Sequence, residues 1–139
     1  MFAIIRHAGY SLSSGSLTIE GETDAVALAQ KLLDINEEWQ EIRTSPTTRT
    51  RETAAIIGST LQKPVEIDGR LNTDGNLTDL LPPYEPINIA FISHLPIITY
   101  LLRAWSKVFG IEEPPLTNVA CGYLIIPDDK KIIPLKPRE

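Results

Sequence analysis

Two short runs of this sequence are apolar at nearly every position. The first spans Phe2–Ile5, and the second spans Asn88–Ser93, where only the two end residues are polar. Because alternate side chains of a β-strand point to opposite faces of its sheet, such runs predict strands that are buried on both faces. A parallel or mixed sheet between two layers of helices provides that environment.

Patterns typical of amphipathic helices lie between the predicted strands. Apolar residues recur at helical spacing over Glu22–Asp34, over Ser45–Leu61 and over Pro96–Phe109. Ser45 is a suitable N-cap for the second helix, and proline is favoured in the first helical turn because it lacks an N–H that the helix would leave unpaired. Additional strands are predicted at Glu41–Thr44, Pro64–Ile67, Val119–Ile126 and Lys131–Leu135.

The alternation of strands and helices, closed by a hairpin, predicts the fold class. We expect an α/β protein, a three-layer α/β/α sandwich whose sheet is mostly parallel with an antiparallel edge. A chain of 139 residues fits one domain, so residues 1–139 are expected to form a single unit. Residues Asp68–Pro86 are polar and rich in Gly, Asn and Pro, which predicts a long surface excursion with at most one short helix.

Composition narrows the partners and the compartment. The formal net charge of −5 disfavours nucleic acid and anionic membranes as partners. No apolar run approaches the ~20 residues that span a bilayer, and the N-terminus lacks the basic segment of a signal peptide. Cys121 is the only cysteine, so an internal disulfide is impossible. We therefore expect a cytoplasmic protein.

The sequence has only two histidines, and each ends one of the buried runs. His7 follows Arg6 after the first run, and His94 follows the second. Because ligands of open α/β sheets bind beyond the carboxyl ends of the strands, we expect the two imidazoles to meet at one sheet edge. Arg49, in the second predicted helix, and the N-termini of two helices should face the same edge. This combination indicates an oxyanion site best suited to a phosphoryl group, and it is a poor metal site because it lacks carboxylate or thiolate partners.

Four segments of the chain, in order, carry a family resemblance. They are Ile4-Ile-Arg-His-Ala8, Leu17-Thr-Ile-Glu-Gly21, Thr44-Ser-Pro-Thr-Thr-Arg-Thr-Arg-Glu-Thr-Ala54 and Ile92-Ser-His-Leu-Pro96. They resemble the Arg-His-Gly signature, the Leu-Thr-x-x-Gly segment, the Ser-Ser-Pro-x-x-Arg-Ala-x-x-Thr-Ala block and the second-histidine motif of the histidine phosphatase (phosphoglycerate mutase-like) superfamily. The chain length favours its short phosphohistidine phosphatase (SixA-type) branch. Ala8 replaces the usual glycine, a change that is costly only at positive φ.

The resemblance implies a role for each matched residue. His7 would be the nucleophile that takes the phosphoryl group, and Arg6, Arg49 and His94 would bind the phosphoryl oxygens. Because the attacking nitrogen must be unprotonated, we expect the other ring nitrogen of His7 to donate to a backbone carbonyl or a similar acceptor. No metal or cofactor is implied. Candidate substrate-binding residues are Ser13, Ser45 and Leu95, and the candidate general acid is Asp74, with Glu20 and Glu22 as weaker candidates.

The implied activity is that of a metal-independent phosphatase that works through a phosphohistidine intermediate. The preferred substrate is a phosphohistidine on a phosphotransfer protein, because an imidazole with a pKa of about 6.5 leaves with little help from a general acid. Two alternatives stay open: a phosphatase of small phosphomonoesters such as sugar or nucleotide phosphates, and a non-catalytic phosphate-binding module on the same fold. In each case we expect the pocket to bind phosphate or sulfate.

Overall fold

The computed structural model describes residues 1–36, 38–84, 86–115 and 117–138. The strands are β1 (Phe2–Arg6), β2 (Glu41–Thr44), β3 (Val65–Ile67), β4 (Ile89–Ser93), β5 (Gly122–Ile126) and β6 (Lys131–Leu135), and the α-helices are α1 (Ile19–Ile35), α2 (Thr48–Leu61) and α3 (Leu95–Phe109). Single 3₁₀ turns lie at Gly69–Leu71, Thr78–Leu80 and Pro127–Asp129. No helix within the described ranges is long and apolar enough to cross a membrane.

The strands form one six-stranded sheet in the order β3-β2-β4-β1-β5-β6. The first four strands of this order are mutually parallel, and β1 pairs with β4 from Phe2 opposite Ile89 to Arg6 opposite Ser93. β5 runs antiparallel to β1, and β6 runs antiparallel to β5. The predicted sheet, mostly parallel with an antiparallel edge, is therefore confirmed.

Helices cover both faces of this sheet. On one face, α1 and α2 pack against the strands in a buried cluster that includes Leu28 and Ile5. On the other face, α3 packs in a second buried cluster that includes Trp105 and Ile4. The neighbouring residues Ile4 and Ile5 thus contribute to opposite layers, which explains why β1 is apolar throughout. The predicted three-layer α/β/α sandwich is confirmed.

The segment Asp68–Pro86 is an excursion between β3 and β4, as predicted, but it contains two helical turns where at most one was expected. Each turn is three residues long, too short to leave a helical period in the sequence, and each buries one leucine, Leu71 or Leu80. The Ser93 hydroxyl donates to the Leu71 carbonyl at 2.6 Å. The excursion is thereby attached to the carboxyl end of β4.

The helix α2 begins later than the sequence predicts. Its N-cap is Thr47, whose hydroxyl accepts from the Thr50 backbone N–H, so the prediction of Ser45 as the N-cap is wrong. The Ser45 carbonyl instead accepts hydrogen bonds from the Thr44 and Thr50 hydroxyls, at 2.9 and 2.7 Å. These bonds hold residues 45–47 as a bend before the helix, and they leave the Ser45 side chain available to another partner, His94.

The helix α1 begins earlier than predicted, at Ile19 rather than Glu22. Its N-cap is Thr18, whose side-chain oxygen accepts from the Gly21 backbone N–H at 3.0 Å. The apolar period that served to predict this helix begins only at its second turn, because the first turn faces the loop that follows β1. The cap therefore sets the start of the helix, and it brings the helix N-terminus close to that loop.

Candidate active site

The carboxyl ends of β1 and β4 form the switch point of the sheet. These neighbouring strands continue into α1 and α3, which pack on opposite faces and leave a crevice beyond the strand ends. His7 directly follows β1, and His94 directly follows β4. Both side chains are buried, and their ring centroids are 5.7 Å apart. The structure thus brings together the two histidines of the chain in one crevice.

The His7 imidazole has a defined tautomer. Its Nδ1 lies 3.0 Å from the Ala8 carbonyl oxygen, and because a carbonyl only accepts, Nδ1 carries the proton. The pKa of His7 is lowered from its ordinary value, chiefly by burial and further by the positive charges of Arg49 and Arg6, while the bond to Ala8 acts in the opposite direction. The ring is therefore neutral near pH 7, with a lone pair on Nε2, which is the arrangement expected of a nucleophile.

Thr53, which lies in α2, holds the backbone next to His7. The Ala8 N–H donates to the Thr53 hydroxyl oxygen at 2.9 Å, and that hydroxyl donates to the Arg49 carbonyl at 2.8 Å. Ala8 does not have a positive φ, and its methyl group is buried against Leu17 and Ala120, among others. Alanine is therefore accommodated without strain where the family usually has glycine.

Arg6 is held by the segment that precedes β5. Its Nη1 donates to the Thr117 carbonyl at 3.0 Å, and its backbone N–H donates to the Cys121 carbonyl at 2.8 Å. In the same segment, the Ala120 N–H donates to the His7 carbonyl at 3.0 Å. One segment thus fixes both residues of the Arg-His pair.

Arg49, in the first turn of α2, reaches across the crevice. Its Nη2 lies 3.4 Å from Nδ1 of His94, and its guanidinium carbon lies 4.8 Å from the centre of the Tyr10 ring. Tyr10 in turn meets His7 in an edge-to-face contact, with ring centroids 5.2 Å apart. Tyr10 therefore touches both the predicted nucleophile and one of the predicted phosphate-binding arginines.

Both arginines carry a buried donor that the surrounding protein does not satisfy. The Nε atoms of Arg6 and Arg49 are inaccessible to solvent, and neither has a hydrogen-bond partner among the described residues. Burying an unpaired N–H of a charged group is costly, and such groups are uncommon in folded proteins. Two of them beside two neutral imidazoles suit the recognition of an oxyanion, the ligand that guanidinium groups bind best.

His94 is bonded through both ring nitrogens. Its Nε2 lies 2.8 Å from the Ser45 hydroxyl oxygen, on the side opposite Arg49. Burial lowers the pKa of His94 to about 4, together with the positive charge of Arg49, the repulsion from His7 when both rings are protonated, and the positive charge of Arg6. This imidazole is therefore also neutral near pH 7. Its backbone forms the N-cap of α3, but its side chain makes no capping bond.

The remaining predicted residues lie at different distances from the crevice. Leu95 is the first residue of α3 and is half-buried beside His94. Ser13 is exposed in the loop after β1, where its hydroxyl bonds to that of Ser11 at 2.9 Å. Asp74 is exposed in the excursion, in a turn closed by the Gly75 N–H donating to the Asn72 carbonyl. Of Leu95, Ser13 and Asp74, only Leu95 is next to one of the two crevice histidines.

Sequence reasoning did not identify two side chains that contact the predicted site residues. Tyr10 is the single aromatic residue in the Ser/Gly-rich loop after β1, a signal that could have singled it out. Asn72, whose Oδ1 lies 3.5 Å from the Ser45 hydroxyl, comes from the excursion and has no comparable signal. Within the described ranges, no group of three or more His, Cys, Asp or Glu side chains is placed to hold a metal ion.

Comparison with known proteins agrees with this geometry. Residues 6–73 match the family model described as the histidine phosphatase superfamily (branch 1). Over these residues, just under half of its length, the chain is similar to that superfamily. The matched residues include His7, both arginines of the crevice and Ser45, while His94 lies beyond them. No curated protein matches the chain by sequence.

Solved structures share the fold over most of the chain. The protein histidine phosphatase SixA, complexed with tungstate, superposes with a TM-score of 0.74 at 21% identity, over 98% of this chain and 96% of that chain. A mycobacterial glucosyl-3-phosphoglycerate phosphatase complexed with VO3 gives 0.60 at 15% identity, over 97% and 96%. Bacillus stearothermophilus YhfR gives 0.61 at 17% identity, over 88% of each chain. These structures share the fold of this chain, and the sequence match is to the histidine phosphatase superfamily model over residues 6–73.

Proposed function

We propose that this chain, as one domain over residues 1–139, is a metal-independent phosphatase that works through a phosphohistidine on His7. One observation carries the proposal: His7 is neutral, with its proton fixed on Nδ1 by the Ala8 carbonyl, in a crevice shared with Arg6 and Arg49. An imidazole with a free Nε2 lone pair among cationic groups is suited to in-line attack on phosphorus.

The reaction balances with residues of this crevice and water. Nε2 of His7 attacks phosphorus, the bond to the leaving group breaks, and the leaving group keeps the bonding electrons and takes a proton from solvent. Water then attacks the phosphohistidine, so that orthophosphate and neutral His7 are formed. Arg6, Arg49 and His94 would offset the charge on the phosphoryl oxygens, which is the main requirement of phosphoryl transfer.

The preferred substrate is a phosphohistidine on a phosphotransfer protein. Asp74, the candidate general acid, is exposed and forms no hydrogen bond with either crevice histidine, and the charged groups around those histidines are arginines. A leaving group with a pKa of about 6.5 tolerates that environment, whereas an alkoxide needs a proton donor. The fold shared with the protein histidine phosphatase SixA supports the same choice.

A phosphatase of small phosphomonoesters is the second candidate. It is favoured by the fold shared with a protein named as a glucosyl-3-phosphoglycerate phosphatase. A non-catalytic phosphate-binding module is the third candidate, and it is disfavoured by the ordered tautomer of His7, which simple anion binding does not require. The first two candidates share the covalent step and differ in the leaving group.

Trapping the intermediate tests the covalent step. Brief incubation with radiolabelled phosphoramidate should leave acid-labile phosphate on the wild-type chain and none on His7→Ala. Because the sequence has only two histidines, His94→Gln is the matched control, and it should still take up label, more slowly. Label on His7→Ala, or none on the wild type, would exclude the proposed intermediate.

The substrate class is tested by comparing kcat/KM. A phosphorylated histidine phosphotransfer domain is compared with sugar phosphates and a nucleoside monophosphate under the same conditions, with and without a chelator. We expect the higher kcat/KM on the phosphohistidine protein and no effect of the chelator. Higher kcat/KM on the monoesters would establish the second candidate, and loss of activity with chelator would contradict metal independence.

A further inference from the structure

The hydrogen bonds of His94 fix where its proton lies in the free protein. Arg49 Nη2 can only donate, so Nδ1 of His94 accepts at 3.4 Å. The neutral ring therefore carries its proton on Nε2, which donates to the Ser45 hydroxyl oxygen at 2.8 Å. The Ser45 hydroxyl then has its own proton free to donate, and the Asn72 carbonyl oxygen lies 3.5 Å away.

A phosphoryl group bound in the crevice requires the opposite arrangement. Phosphoryl oxygens only accept hydrogen bonds, and Arg49 would turn its donors toward them. Nδ1 of His94 then faces an acceptor, so it can bind only if it carries a proton. Protonating the whole ring would place a third cation beside Arg6 and Arg49, and the pKa of about 4 opposes it in the free protein. Moving the proton from Nε2 to Nδ1 keeps the ring neutral.

Ser45 is placed to permit this exchange. It is fully buried, its backbone N–H donates to the Ile92 carbonyl at 3.0 Å, and its carbonyl is held by two threonine hydroxyls. The hydroxyl oxygen is therefore fixed next to His94 while its proton can rotate. A hydroxyl both donates and accepts, so the same oxygen can pair with Nε2 in either tautomer. The bond to Asn72 that rotation gives up is long, hence weak.

We propose that Ser45 is a positioning residue that reverses the tautomer of His94 when a phosphoryl oxyanion binds. The free protein holds the Nε2–H form, in which Ser45 accepts, and the bound protein holds the Nδ1–H form, in which Ser45 donates and His94 donates to the oxyanion. The ring releases one proton to water and takes up another, so its charge does not change. The inference rests on the proposed phosphoryl site, and it implies that the Ser45 hydroxyl bonds to His94 rather than to the substrate.

The helix next to Ser45 does not need its hydroxyl. Thr47 caps α2, so a change at Ser45 leaves the helix N-cap in place. Ser45→Ala removes the hydroxyl, and Ser45→Thr retains one at the same position. These two variants therefore separate loss of the hydroxyl from a general disturbance of the bend.

Nitrogen NMR of protein labelled at its histidine ring nitrogens reads the tautomer directly, because the two histidines give few signals. Tungstate is the probe. In the wild type, we expect His94 to change from Nε2–H to Nδ1–H on binding, while His7 keeps its proton on Nδ1. Ser45→Ala should bind tungstate roughly tenfold more weakly, as expected for one lost bond in a charged site, and leave His94 unchanged in tautomer. Ser45→Thr should restore the exchange.

Each other outcome has a definite meaning. A wild-type His94 that keeps one tautomer, or becomes doubly protonated, with tungstate bound would overturn the role of Ser45 while the phosphoryl site stands. Tautomer exchange in Ser45→Ala as in the wild type would also overturn it. If the His7 signals do not respond to tungstate at all, the proposed phosphoryl site itself is wrong, and this inference fails with it.

Discussion

At His7, burial lowers the pKa of the imidazole, whereas the hydrogen bond to the Ala8 carbonyl raises it. Burial is the larger influence and lowers the pKa of His7 below its ordinary value of 6.5, and Arg49 and Arg6 lower it further. Protonation removes the attacking lone pair, so kcat/KM should fall only below pH 6.5. The measurement is a pH profile of kcat/KM, corrected for titration of the substrate phosphoryl group.

Arg49→Ala provides the contrast for this profile. Removing that positive charge should raise the pKa of His7, and the acid limb of the profile should move to higher pH although the rate itself is lower. An acid limb at or above pH 6.5 in the wild type, or one that Arg49→Ala moves to lower pH, would contradict this account of the His7 environment.

Tyr10 offers a second test at the residue scale. Its ring lies 4.8 Å from the guanidinium carbon of Arg49 and contacts the ring of His7. A cation–π contact of this kind is worth about 0.5–1 kcal/mol, so Tyr10→Ala should weaken tungstate binding by roughly two- to fivefold. Tyr10→Phe keeps the ring and should bind as the wild type does. Equal losses in both variants, measured by calorimetry, would assign the effect to the hydroxyl instead.

At the scale of elements, the contact between α1 and the loop after β1 depends on Gly21. A Cβ built on Gly21 would lie 2.1 Å from the Gly9 carbonyl oxygen, which is backbone and cannot move aside without shifting the loop. Gly21→Ala should therefore displace the segment next to Ala8 and destabilise the protein by about 2 kcal/mol. We expect kcat/KM to fall about tenfold or more, because small misplacements of a nucleophile are costly.

Gly69→Ala is the matched control for this variant. Gly69 also lies in the first turn of a helical segment, but a Cβ there meets no atom within 4 Å, and its φ is not positive. Its unfolding midpoint in denaturant and its kcat/KM should both stay close to those of the wild type. A Gly21→Ala variant indistinguishable from Gly69→Ala would show that the α1 contact does not position the crevice.

Individual elements show which structural features can be predicted from the sequence and which cannot. The first strand was identifiable because Ile4 and Ile5 serve opposite layers, which leaves no polar position between them. The start of α2 could not be predicted correctly, because a serine before a proline satisfies the local rule for an N-cap. What overrides that rule is His94, 49 residues further along the chain, which takes the Ser45 hydroxyl. A contact at that separation leaves no local pattern.

For the whole molecule, the crevice follows from the order of strands more than from any single motif. His7 and His94 meet because β1 and β4 are neighbours, although α1, β2, α2 and β3 separate them in sequence. The rule that ligands bind at the carboxyl ends of parallel strands was enough to predict this meeting. That rule could not predict the contact of Asn72 with Ser45, because the excursion Asp68–Pro86 has neither a helical nor a strand period.

The same crevice should make the stability of the whole fold depend on pH. His94 titrates at about 6.5 when unfolded and about 4 when folded, so between these values the unfolded chain binds more protons. The free energy of unfolding should therefore fall as the pH is lowered from 6.5 toward 4, and no such contribution should be present above 6.5. Urea titrations at a series of pH values measure it.

His94→Gln isolates this contribution from that of the carboxylates and of His7. Glutamine keeps a polar side chain of similar reach but does not titrate, so the variant should lose less stability than the wild type between pH 6.5 and 4. The difference between the two curves should grow steadily as the pH falls, and it should be flat from pH 7 to 8. Parallel curves throughout would mean that His94 titrates alike in the folded and unfolded chain, and therefore that its ring is not held neutral by the buried, cationic crevice.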